Sequence, residues 1–221
     1  MRYSFLLVAL VLMLACKQSK EPVNPVLAVT GDLRMINGFE SDIVDDRNID
    51  IWLPEGYEES DERYRVLYMH DGQNVFNPAT SYNGNDWMVD EGLTELIEAG
   101  EVEPTIVVAI WNNGMKRFPE YMPQKPAEVM NSDEVREGVM SYAGVPIISD
   151  QYLRFLVEEL KPFIDSTYRT KTGVEYTSIR GSSMGGLISL YAISEYPDVF
   201  GSAACLATHW TAEDGLGEGY S

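Results

Sequence analysis

SIRGSSMGGLISLY, residues 178–191, runs from a short strand-like stretch through a serine pair between glycines into an apolar helical stretch. Within it, Gly181-Ser182-Ser183-Met184-Gly185 has the spacing G-x-S-x-G with Ser183 at its centre. Glycine accepts backbone conformations that a side chain would obstruct, so a strand can turn sharply into a helix here. The central serine is then held in a strained conformation with its hydroxyl at the strand's end, facing the N–H groups of the following helix. Ser183 is the candidate nucleophile. Ser182 occupies the variable position and is expected to face away.

Working outward, strand and helix signals alternate. YRVLYMHDG and TIVVAIWNNG are continuous apolar runs closed by turn residues, as in strands buried on both faces. VDEGLTELIEAGE places Val89, Leu93, Leu96 and Ile97 at helical spacing. ISDQYLRFLVEELKPFID reads as a helix capped by Ser149 or Asp150, and FGSAACLATHW as a strand reaching His209. LRMINGF and NIDIWLP are two further β-like runs joined by the acidic SDIVDDRN. That connector lacks the glycine and closing glutamate of a calcium-hand loop, so it reads as a hairpin loop, and no metal ligands are assigned. Residues 115–146 carry four prolines and read as a long irregular loop that covers or shapes a site. The alternation predicts an α/β fold, a mostly parallel sheet with helices on both faces.

The formal charge of -19 disfavours nucleic acid as a partner. At the N-terminus, Arg2 precedes an apolar run from Phe5 to Leu14, too short to span a bilayer and typical of an export signal. It ends at Cys16, followed by Lys17-Gln18-Ser19-Lys20. This resembles a bacterial lipoprotein signal, implying cleavage before Cys16, a lipid on its sulfur and a place in the cell envelope. Residues 1–15 are then the signal, 16–30 a tether with two prolines, and 31–221 the folded domain. Cys205 is the one other cysteine and reads as a small buried hydrophobe.

Taken in order, VLYMHDGQNVF (66–76), VVAIWNNG with RFPEYMP, ELKPFIDSTYRT (159–170) and SIRGSSMGGLISLY resemble the esterase D branch of the α/β-hydrolases. That branch stands alongside enterochelin, feruloyl and acetylxylan esterases and mycolyltransferases. The resemblance covers roughly residues 33–210 and implies an α/β-hydrolase fold with Ser183 as the acyl-forming nucleophile. It also implies an oxyanion hole from the backbone N–H groups of Met184 and Gln73. No cofactor is implied. His70 lies in the same motif but precedes the serine, against the family order of serine, acid, histidine, and reads as a histidine that pins the loop. Trp87 and Trp111 either line an aromatic-friendly pocket or pack in the core.

The nucleophile needs a base and an orienting acid. Glu195 and Asp198 follow Ser183, but twelve residues of helix put Glu195 ~18 Å away. His209 returns to the active edge and could approach Ser183 with Asp214 behind it, an order that is not the family's. The simpler expectation is that the catalytic acid and histidine lie on strand–loop units absent from this chain, leaving it inactive and GSAACLATHW an uncovered edge. The expected function is an exported serine hydrolase of carboxylic esters: a glycan acyl ester, a siderophore ester or similar. The alternatives are a surface lipoprotein that binds a glycan or siderophore, and an acyltransferase of the same fold.

Overall fold

The computed structural model describes residues 29–129 and 133–210. The proposed signal, Cys16, most of the tether and Asp214 lie outside the described residues. Six strands form one sheet in the order β1-β2-β4-β3-β5-β6. β1 (Asp32–Phe39) and β2 (Arg47–Leu53) form the expected antiparallel hairpin, and β2 pairs antiparallel with β4 (Thr105–Ile110). β3 (Arg65–His70), β4, β5 (Thr177–Ser182) and β6 (Ser202–Leu206) are mutually parallel.

The apolar runs of β3 and β4 are continuous because each face of the sheet is covered. Val66, Tyr68, Ile106, Val108 and Ile110 face the larger core, where they meet Phe155, Leu160, Ile164 and Ile188. Met69, Val107 and Ala109 face the other way, against Trp52, Val75, Phe76 and Val89. Val89 opens helix α1 (Val89–Glu98) on that second face. Side chains alternate across a strand, so one unbroken apolar hexamer supplies both layers.

Three expectations need correction. Residues 115–146 are not an irregular loop but contain α2 (Arg117–Tyr121), α3 (Gln124–Val129) and α4 (Asp133–Ala143). Pro119 and Pro126 sit in the first turns of α2 and α3, where a missing N–H forfeits no intrahelical bond. Burial of Tyr121, Met122 and Val139 in the larger core fixes these short helices in place.

The helix from Ser149 is likewise not capped by its Ser149 or Asp150 side chain. Ser149 is the first residue of α5 (Ser149–Arg154), and its Oγ accepts from the Gln124 N–H at 3.0 Å. Asp150 accepts from the Tyr191 hydroxyl at 2.6 Å. Both side chains are thus spent on tertiary contacts. The helix continues through a π-helical stretch, Phe155–Leu160, into α6 (Lys161–Thr167). Pro162 cannot donate to the preceding turn, and the widened turn before it accommodates the ring.

Finally, β6 stops at Leu206 rather than His209, because Ala207 has a positive φ of 41° that breaks the extended run. Between β5 and β6 runs α7 (Met184–Glu195), apolar around most of its circumference because it packs on both strands.

Candidate active site

Ser183 joins β5 directly to α7 with φ 57° and ψ -120°, a combination that costs a non-glycine residue about 1–3 kcal/mol. Its neighbours hold it there. The Ser183 N–H donates to the Leu206 carbonyl at 2.9 Å, while its own carbonyl accepts from Gly186 (3.0 Å), Leu187 (3.2 Å) and His209 (3.3 Å) N–H groups. Gly181 must lack a side chain, because a Cβ would overlap the Gly185 carbonyl of the helix above it. A Cβ on Gly186 would come to 2.9 Å of Thr208 Oγ1. The turn is therefore wedged between its own helix and the loop after β6.

The second wall is the turn after β3. Asp71 is left-handed (φ 59°), a conformation that aspartate tolerates better than most residues. It is buried and fully engaged: Arg117 Nε donates to Oδ1 at 2.6 Å and Nη2 to Oδ2 at 2.8 Å, and Asn112 Nδ2 donates to Oδ1 at 2.7 Å. Gly72 has no room for a Cβ, which would lie 2.6 Å from the Ala109 carbonyl. The turn reaches the elbow at Gly185, where a Cβ would sit 3.3 Å from Asp71 Oδ2 and 3.4 Å from His70 Cβ. Among the described residues, neither the Gln73 nor the Met184 N–H has a hydrogen-bond partner. The Gln73 side chain is occupied, accepting from the Asn112 N–H at 3.2 Å.

Of the other residues singled out in the sequence, Trp87 donates its backbone N–H to Asn74 at 2.9 Å, and its ring packs on the smaller core. Trp111 directly follows β4 and donates Nε1 to Asp50 Oδ2 at 2.7 Å. Both rings remain partly exposed at the active edge. His209 is half-buried, with its backbone against Ser183. Cys205 is half-buried on β6, less enclosed than its apolar surroundings in sequence suggest. The sequence reading assigned no role to Asp71, Asn112 or Arg117, although RFPEYMP contains the arginine. Nothing in linear spacing shows that this arginine folds back 46 residues to clamp an aspartate.

His70 is fully buried, with Nδ1 2.8 Å from the Tyr152 hydroxyl and Nε2 without a partner. Burial lowers its pKa from 6.5 to about 3, with Asp71 opposing and Arg117 and Arg47 adding to the fall. Unfolded chain binds a proton on this ring below pH 6.5 that the folded protein refuses until about pH 3. The stability it contributes is complete above the first value and is lost as pH falls toward the second. We expect the unfolding free energy to fall by up to ~1.4 kcal/mol per pH unit in that window. His70→Asn should flatten the dependence between roughly pH 6.5 and 5, above the range where ordinary carboxyls titrate. An unchanged slope in urea melts of that variant would refute the assignment.

A mostly parallel sheet, a strained serine between a strand and a helix N-terminus, and a turn with a free N–H beside it define an α/β-hydrolase. The family described as "Putative esterase" matches residues 41–216, and the chain belongs to that family. The uncharacterized protein YbbA of Bacillus subtilis (strain 168) is 25% identical over 165 residues, covering 74% of this chain and 58% of YbbA. The structure of an IroE-like serine hydrolase from Shewanella oneidensis aligns with a TM-score of 0.61 at 24% identity, covering 84% of this chain and 56% of that one. A ferulic acid esterase from Anaeromyces mucronatus aligns with a TM-score of 0.55 at 22% identity, covering 80% of this chain and 59% of that one. The chain thus spans little more than half the length of each relative.

Proposed function

We propose that this chain carries the nucleophile and oxyanion half of a serine hydrolase acting on carboxylic esters. The observation that carries the reading is Ser183 itself: a serine held at φ 57° between a strand end and a helix N-terminus. A structural turn has no use for that strain, and glycine would relieve it. In the proposed reaction Ser183 Oγ attacks the ester carbonyl carbon, a base takes its proton, and the alcohol leaves to give an acyl-enzyme. The Met184 and Gln73 N–H groups donate to the oxyanion. Such fixed donors favour the transition state because they need no reorganisation as charge appears; each contributes roughly 3 kcal/mol. The Asp71–Arg117 pair keeps the second donor's turn in place. The base and acid are proposed to come from outside the described residues.

The named relatives support an ester rather than an amide or phosphate substrate, one of them being described as a ferulic acid esterase. An acylated glycan or a siderophore ester is the proposed substrate class, with Trp87 and Trp111 as the aromatic wall. The test is covalent labelling with a fluorophosphonate probe of the protein expressed from its complete reading frame. The adduct should map to the peptide containing Ser183 and survive Ser182→Ala. An adduct on Ser182, or none on an esterase-active preparation, would refute the reading.

We also propose that the protein is exported and lipid-anchored through Cys16. No helix among the described residues is long and apolar enough to cross a membrane. Cys16→Ser should move the protein from the membrane to the soluble fraction. Partitioning like wild type would end the lipoprotein proposal.

A further inference from the structure

On the side of the sheet that carries α1, three carboxylates converge. Asp86 lies just before the helix, and Asp90 and Glu91 in its first turn. One oxygen from each lies within 4.8 Å of the others. The helix N-terminus favours nearby negative charge, and that alone would account for acids here. It does not account for the burial of Asp90 or for the sealed oxygens of Asp90 and Glu91.

Asp90 is 1% exposed and spends Oδ2 on Thr30, accepting from its N–H at 2.9 Å and from its Oγ1 at 3.3 Å. Its Oδ1 is sealed from solvent and has no partner, and Glu91 Oε2 is in the same condition. Among the described residues, no lysine, arginine or histidine forms an ion pair with any of the three. Buried carboxylate oxygens in native proteins are paired, protonated or on a metal. Three converging carboxylates without a cationic side chain form a set of hard oxygen ligands that calcium accepts in irregular geometry, completed by water.

We propose that Asp86, Asp90 and Glu91 bind a calcium ion. Its position has a consequence for the active edge. Asp86 adjoins Trp87, whose N–H holds Asn74, the residue after the proposed oxyanion donor Gln73. Asp90 in turn holds Thr30, whose carbonyl accepts from Trp52 Nε1 in the smaller core. The ion therefore fastens the 77–88 segment and the lead-in to β1 onto α1.

The test needs no catalytic activity. Terbium, a calcium surrogate, is titrated into the whole protein while emission sensitised by tryptophan is followed, since Trp87 adjoins a ligand. Sensitised emission should appear, be displaced by calcium with a dissociation constant of about 10⁻⁴–10⁻³ M, and weaken about tenfold or more in Asp86→Asn and in Glu91→Gln. Trp87→Phe should lose emission while calcium still raises the melting temperature. Asp86 is only half-buried, so its substitution keeps the fold testable. Emission undiminished in both carboxylate variants would place the ion elsewhere on the acidic surface and overturn the proposal. Absence of a calcium-dependent melting shift, with Glu91→Gln raising the midpoint by itself, would show that the acids hold no ion and overturn the proposal.

Discussion

Ser183→Ala, in the protein expressed from its complete reading frame, is expected to lower hydrolysis of p-nitrophenyl acetate by about 10⁶-fold. The size follows from what is removed. In the proposed mechanism alanine deletes the one oxygen that forms the acyl bond and leaves the Met184 and Gln73 donors in place, so only the residual effect of binding and oxyanion stabilisation should persist. The backbone should not relax, because Ser183 is held by Leu206, Gly186, Leu187 and His209 through its peptide groups rather than its hydroxyl. The melting temperature should accordingly stay close to wild type, separating loss of chemistry from loss of fold. Ser182→Ala should retain turnover within a few-fold. Wild-type-like turnover in Ser183→Ala would mean that another residue is acylated.

The largest expected effect on stability lies one layer below the site. Arg47 and Glu120 form a bidentate pair at 2.7 and 3.1 Å, with side chains each 1% exposed, and the guanidinium lies over the rings of Tyr152 and Phe155. Removing one member strands the other's charge in a place without water. Arg47→Met is therefore expected to cost about 3–5 kcal/mol, a large part of the ~5–15 kcal/mol that holds a typical domain together. The double variant Arg47→Met/Glu120→Leu should recover most of that loss, since an apolar pair needs no desolvation. Chemical denaturation of wild type, Arg47→Met, Glu120→Leu and the double variant decides it. A single variant within about 1 kcal/mol of wild type would show that Glu120 finds water or a proton without cost.

How far the sequence was legible depended on whether the signal was local. The elbow was legible because strand end, turn glycines and helix start are contiguous, and G-x-S-x-G is the record of that steric need. β3 and β4 were legible because burial on both faces leaves an unbroken apolar run. The helices within 115–146 were not, because their prolines sit in first turns and their apolar positions answer to a core built by distant residues. Nor was Ser149 as a receiver for Gln124, since its position before a periodic run suits a cap equally well. The network around Asp71 was illegible for a further reason: its partners Asn112, Arg117 and Tyr121 come from the loop after β4 and from α2. The strand order, which places β4 beside β2 instead of at an edge, is likewise a property of pairing and not of any one segment.

The hold that β6 and its following loop exert on Ser183 makes the proposed nucleophile part of a cooperative unit larger than its motif. Its amide is tied to Leu206 and its carbonyl to His209, so the serine cannot keep its contorted geometry while that strand frays. Amide hydrogen exchange at Ser183 should follow the exchange of β6 and not that of the α7 interior, since protection is shared within a unit that opens together. Whatever loosens β6 is therefore expected to switch off the proposed chemistry before the rest of the domain melts.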